Sequence, residues 1–206
     1  SGVVSVSGLA TIVSTGQTVT LGDTTTANFG SLDFAGAAVT ITEDSAMAIA
    51  GSEATGALSL TANGAITQTG AIDADATSSF TAGANAITLT QATNDFTGPV
   101  SLTGGVASLM DANDLTVSLT TSGTAALTAV NSLTVNGTVS GATSDLTTAA
   151  AATSFGATTV SRNLSVTASG AVSDTDKLVV AGTTTISATG QSVELDTAIN
   201  DFTGAV

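Results

Sequence analysis

The sequence contains no cysteine, histidine, tryptophan or tyrosine, and its one proline is Pro99. Without cysteine there are no disulfides and no thiolate metal site. Without histidine the commonest general base and metal ligand is missing. Aromatics make up 3% of the 206 residues, all of them phenylalanine. Only Arg162 and Lys177 are basic, against 16 acidic residues, for a net charge of −14. Phosphate backbones need several Lys or Arg to release counterions, so nucleic acid is excluded as a partner. Anionic membrane surfaces are excluded by the same argument. No apolar run is long enough to cross a bilayer, so no membrane insertion is expected. No charged-then-apolar leader follows Ser1. The chain begins and ends in mid-pattern, as a mature protein or a piece of something longer does.

What the chain does have is repetition. Residues 58–100 and 164–206 align without a gap at an offset of 106, with 17 of 43 positions identical. Most of the others swap like for like: Ile66 for Val172, Ile87 for Val193, Phe80 for Ile186. Self-similarity at a fixed offset is the mark of a repeat architecture. A partial third copy spans 14–49. Ser14–Leu21 resembles Ala188–Leu195, and Asp33-Phe34-x-Gly36 echoes Asp95-Phe96-x-Gly98. Its two pieces stand further apart than in the other copies, which predicts a corner insertion near Asp23–Gly30.

Short alternations of period two recur from end to end, among them Val39-x-Ile41, Leu58-x-Leu60, Ile87-x-Leu89 and Leu115-x-Val117-x-Leu119. Each places its apolar residues on one face of a strand. Between them lie turn formers such as Asn63-Gly64, Gly104-Gly105 and Ser169-Gly170. The Ala-rich run Thr147–Thr153 is the best helical candidate, and it is a poor one. Leu58 to Phe80 and Ile66 to Ile87 are nearly equal intervals. They make the offset between copies five coils of roughly 21 residues, the size of one rung of a repeat solenoid. The expected fold is all-β: one parallel β-helix (β-solenoid) over 1–206, about ten rungs of roughly 21 residues, with uncapped ends. At about 4.8 Å per rung it forms a rod of roughly 48 Å.

Segments such as GAITQTGAI (64–72), TAGANAITLT (81–90) and NDFTGPVSLTGG (94–105) resemble the repeats of large secreted bacterial adhesins of the filamentous haemagglutinin-like class. The resemblance implies a right-handed β-helical fibre, extracellular and on the bacterial cell surface. The amino-terminal secretion domain of that class has no counterpart within these residues.

Each motif also has a plain structural role. Asn94-Asp95-Phe96-Thr97-Gly98, repeated at Asn200–Gly204, is expected to be a corner, with Asn and Asp bonding their own backbone and Phe plugging the core. Acidic groups at Glu43-Asp44, Asp73-x-Asp75, Asp111-x-Asn113-Asp114 and Asp174-x-Asp176 are expected to be solvated corners. Asp111, Asn113 and Asp114 are the best candidates for a structural Ca²⁺, which takes six to eight oxygens. No EF-hand loop or Gly-Gly-x-Gly-x-Asp array accompanies them. A carbohydrate-cleaving enzyme would lack the cations and aromatics that usually line its cleft, so no enzyme, catalytic residue or cofactor is expected. Thr-x-Thr pairs such as Thr18-Val19-Thr20 and Thr40-Ile41-Thr42 raise an ice-binding reading, but along the chain they do not recur at every rung. The function expected is a stalk, matrix or filament block, its partner being itself, end to end or within a longer chain, with a host or surface glycan or protein as a possible target. The alternative is a binding module with a glycan- or ice-binding face.

Overall fold

A computed structural model describes residues 3–22, 27–197 and 199–206. Among them there is no helix. All strands pair in parallel and build two facing walls. The first wall holds β1 (Val4–Ser14), β3 (Ala27–Gly36), β5 (Met47–Ala54), β7 (Ile66–Gln68) with β8 (Ile72–Ala74), β10 (Ile87–Leu89) with β11 (Asp95–Phe96), β13 (Ala107–Asp111), β15 (Ala125–Ala129), β17 (Leu146–Ala150), β19 (Leu164–Ala168) and β22 (Thr184–Ser187). The second wall holds β2 (Val19–Leu21), β4 (Val39–Glu43), β6 (Leu58–Ala62), β9 (Ser78–Thr81), β12 (Val100–Gly104), β14 (Leu115–Thr121), β16 (Ser132–Val139), β18 (Ala152–Val160), β20 (Val172–Asp174) with β21 (Leu178–Val180), and β23 (Val193–Glu194) with β24 (Asp201–Phe202). Each wall is a path of ten strands, one per turn, so the chain is a β-solenoid of about ten turns. The Ala-rich run, the best but poor helical candidate, is strand, divided between β17 and β18. Stacked neighbours, rather than intrinsic propensity, decide the state of such a segment.

Period-two alternation produces the core. Inward positions of successive strands stack on one another, as in Val39–Leu58–Ser78–Val100–Val117. Nearly all are buried Val, Ile, Leu, Ala or Phe. The space between the walls is narrow. Its largest buried side chains are Phe34, Phe80, Phe96 and Phe155. Phe80 and Phe96 come from opposite walls and meet edge to face, with ring centroids 5.9 Å apart.

Turns are less uniform than the sequence spacing suggests. Ser78 pairs with Val100 across a long turn, whereas Val100 pairs with Val117 across a shorter one. The variation follows a rule. Up to β11 the first wall carries the long or doubled strands and the second wall the short ones; from β14 onward the arrangement is reversed. The exchange happens at β12 and β13, a turn made of two short strands. The two sequence copies therefore stand on opposite walls: Leu58 in the second and Leu164 in the first, Phe96 in the first and Phe202 in the second. One copy follows the other after five and a half turns, where the spacing alone suggested five. Within the partial copy, Val19 stands in the second wall and Phe34 in the first, whereas Ile87 and Phe96 share a wall. Residues 27–30 of the expected insertion are strand, and 23–26 lie outside the described residues.

Backbone geometry requires glycine where the chain approaches its neighbour closely with positive φ. Gly137 sits at the register slip between β16 and β18 with φ +108°, and a Cβ there would collide with the Leu119 carbonyl oxygen. No side chain fits that approach.

Removing a core ring tests the stacking. Phe96→Ala should cost about 3–5 kcal/mol in urea unfolding, whereas Thr103→Ala on the outer face should stay within about 0.5 kcal/mol.

Candidate functional surface

The second wall presents two ranks of hydroxyls. Parallel pairing in register puts Thr20, Thr40, Ser59, Ser79, Ser101 and Ser118 on successive turns. Two positions further along each strand stand Thr42, Thr61, Thr81, Thr103, Thr120, Thr138 and Thr159. All are exposed or half-buried. Neighbours within a rank are about 4.8 Å apart and the ranks about 6.7 Å apart, from strand spacing and rise. The sequence pairs seemed irregular because the turns differ in length; pairing brings Thr/Ser together on every turn from Thr40 to Thr120.

The first wall has a hydroxyl rank of its own, Thr67, Thr88, Ser108, Thr147, Ser165 and Thr185, interrupted at Ala126, and adds a column of carboxylates. Glu53, Asp73 and Asp95 are register partners on three successive turns. Asp73 faces solvent, but slight desolvation by the wall pushes its carboxyl up, and the nearby charges of Asp75, Asp95 and Glu53 push it further. Among the described residues the ion pair is Arg162–Asp145, 3.3 Å apart on the surface. An exposed pair of this kind contributes under about 1 kcal/mol.

Several acidic groups expected to be solvated corners are not solvated. Glu43, Asp111 and Asp174 end their strands pointing inward and are buried. Each closes a corner by accepting hydrogen bonds. Glu43 Oε1 accepts from the Phe29 backbone N–H at 2.8 Å and from Ser45 Oγ at 3.3 Å. Asp111 Oδ1 accepts from the Asn113 N–H at 3.3 Å. Asp174 accepts from the Thr197 N–H at 3.1 Å and from Asn200 Nδ2 at 2.7 Å. Burial raises the Glu43 and Asp111 carboxyls above their ordinary values, opposed by these hydrogen bonds. Asp73-x-Asp75 and Asp44 do face solvent, as expected.

The repeated corner has more reach than its sequence suggests. Asn94 is fully buried, and its amide joins neighbouring turns. Its Oδ1 accepts from the Ile72 N–H at 2.9 Å and from Gln68 Nε2 at 2.7 Å. Its Nδ2 donates to Gln68 Oε1, Leu89 O and Met110 O. Asn200 repeats the pattern toward the Leu178 N–H and Leu195 O, with Asp174 in place of Gln68. The expectation that this Asn bonds its own local backbone holds only for Leu89 and Leu195. Asp95 faces outward, and Phe96 fills the core. Asn94, Gln68 and Asp174 escaped the sequence reading as a set because the partners lie more than a full turn apart in the chain.

The Ca²⁺ candidates diverge. Asp111 is buried, whereas Asp114 points outward and accepts from Ser132 N–H at 3.0 Å and Ser132 Oγ at 2.6 Å. That hydroxyl bond, with the backbone N–H, lowers the Asp114 carboxyl. Asn113 and Asp114 line a shallow surface hollow with Asp95 and Asn131; Asp111 does not. Among the described residues, no three His, Cys, Asp or Glu side chains converge as a metal site.

Two measurements test the corners. Asn94→Leu strands the Ile72 N–H and two carbonyls and should cost about 3 kcal/mol in urea unfolding. The other is pH dependence. Glu43, Asp73 and Asp111 bind protons more tightly folded than unfolded, so their contribution to stability is full below the ordinary carboxylate range and is lost as pH rises through the raised values. Asp114 has the opposite sign and acts only as pH falls below its ordinary value of 3.8. The melting temperature should therefore rise on acidification from neutral toward mildly acidic pH, and Glu43→Gln should shrink that rise.

The comparisons with known proteins agree with a repeat architecture. No curated protein and no solved structure matches the chain. One family matches twice, over residues 36–103 and 143–206, together more than half of the chain. The two matches enclose the two sequence copies from 58 to 100 and from 164 to 206 and extend each toward its amino-terminal side. This solenoid belongs to the family described as repeats of unknown function, DUF5649.

Proposed function

We propose that this repeat protein is a segment of an extracellular β-helical fibre, acting as stalk, matrix or adhesive shaft at a bacterial surface. The observation that carries the reading is the stacking itself: parallel strands pair turn on turn along both walls over about ten turns. Along the rod, each turn contacts mainly its neighbours, so length can be added without redesigning the fold. The net charge of −14 keeps the sides of such rods apart.

The regular hydroxyl ranks favour a second reading, in which the second wall is a binding face for ordered water or a glycan. Flat rows of Ser and Thr at fixed spacing offer donors and acceptors in a lattice. Replacing Ser79 and Thr103 by Lys interrupts one row each without touching the core. Electron microscopy of the native material separates the readings. The fibre reading expects long thin filaments whose formation is unchanged by the double substitution. Discrete particles with thermal hysteresis or glycan-array binding, lost on substitution, would replace it with the binding face.

A further inference from the structure

The charge that keeps such rods apart is missing from one side. From β4 to β18, over seven successive turns, every outward strand position of the second wall is uncharged. Glu43, the one carboxylate in those strands, points inward and is buried. Asp44 and Asp114 stand at corners beside the wall rather than on its face. The first wall differs. Asp33, Glu53, Asp73 and Asp95 face outward from its earlier turns, and Ala126 breaks its hydroxyl rank on the later ones. The two ranks of the second wall also differ in size. One is serine at Ser59, Ser79, Ser101 and Ser118, and a shallow hollow bordered by Pro99 runs along it. The other is threonine on every turn from Thr42 to Thr159.

Resting on the fibre reading, we propose that the second wall is a side-by-side pairing face for a second copy of this chain, with the two rods parallel. Charge, spacing and shape each favour that occupant. Rods of like charge meet with least repulsion where neither carries any. A partner that touches every turn must repeat at about 4.8 Å along the rod, and a second copy of the same wall does so by construction. A two-fold axis along the rod sets the serine rank of each copy against the threonine rank of the other. The longer Thr side chain then fills the hollow beside the shorter Ser, as facing sheets interdigitate in a steric zipper. Antiparallel rods set serine on serine and threonine on threonine, and the hollow stays empty. Seven strands at about 4.8 Å and a face about five residues wide give roughly 570 Å² a side, about 1,100 Å² for the pair. That just clears the area of about 1,000 Å² that a specific contact needs. One segment therefore pairs weakly, and a longer rod pairs more firmly because its turns act together. The contact is isologous, so it closes at two rods and does not grow into a bundle.

Sedimentation of the full chain over a concentration series reads the pairing. Association should strengthen with salt, which screens the carboxylates at the corners. Ser79→Lys or Thr81→Glu puts an unpaired charge into the face and should raise the concentration for half-association about tenfold or more. Thr88→Glu adds the same charge to the first wall as Thr81→Glu adds to the second, and should leave association nearly unchanged. Mixing reads the orientation. The Ser79→Lys chain and the Thr81→Glu chain should pair with each other though neither pairs alone, because parallel rods set those positions opposite. Restoration only between Ser79→Lys and Ser79→Glu chains overturns the parallel arrangement. Equal loss from Thr81→Glu and Thr88→Glu, or no association at any salt concentration, overturns the pairing face. Electron micrographs keep the fibre reading separate. Filaments that stay single overturn the pairing alone; paired short rods sustain the pairing and remove the fibre; single short rods overturn both.

Discussion

Each turn of this molecule is held by main-chain hydrogen bonds to the turns above and below. A short strand has no stability alone. Here its backbone groups are satisfied only when an equivalent strand lies on either side, in register. That single requirement sets the rest. It forces inward side chains into columns, which is why the core is Val, Ile, Leu and Ala with few rings. It also makes outward side chains form ranks, hydroxyls on both walls and a carboxylate column on the first.

Corners are where a solenoid is short of hydrogen bonds, since the turning backbone cannot pair with a neighbour regularly. The chain meets this with inward polar side chains at strand ends. Glu43, Asp111 and Asp174 accept from backbone N–H groups, and Asn94 and Asn200 span adjacent turns. Burying a carboxyl is costly, and the raised Glu43 and Asp111 values record that cost. The buried amides achieve the same closure without charge. Where copies differ, Gln68 becomes Asp174, and the bond to the corner Asn is kept.

The half-turn between copies gives the rod its asymmetry. A repeat of whole turns would stack like chemistry along one side without limit. Five and a half turns exchange the walls instead, so the doubled strands and their corner Asn pass from the first wall to the second. Turn length is the physical lever: two short strands in succession, β12 and β13, bring the chain round early. The −14 charge is spread over both sides in consequence, with cations at only Arg162 and Lys177.

Composition and period-two alternation were enough to determine strands, parallel stacking and the inward apolar positions. These follow from local rules, because each inward residue is two from the next and each corner has its own turn formers. Classes of function that need cations, rings or thiols were likewise constrained by composition alone. Tertiary structure decided what depends on turn length. The hydroxyl ranks, the Glu53–Asp73–Asp95 column, the burial of Glu43, Asp111 and Asp174, and the opposite walls of Phe96 and Phe202 all join residues a full turn apart or further. Turns vary in length, from the short step between Val100 and Val117 to the long one between Val4 and Ala27, so no fixed sequence interval predicts which side chains become neighbours. Only the register of the hydrogen-bonded strands brings them together.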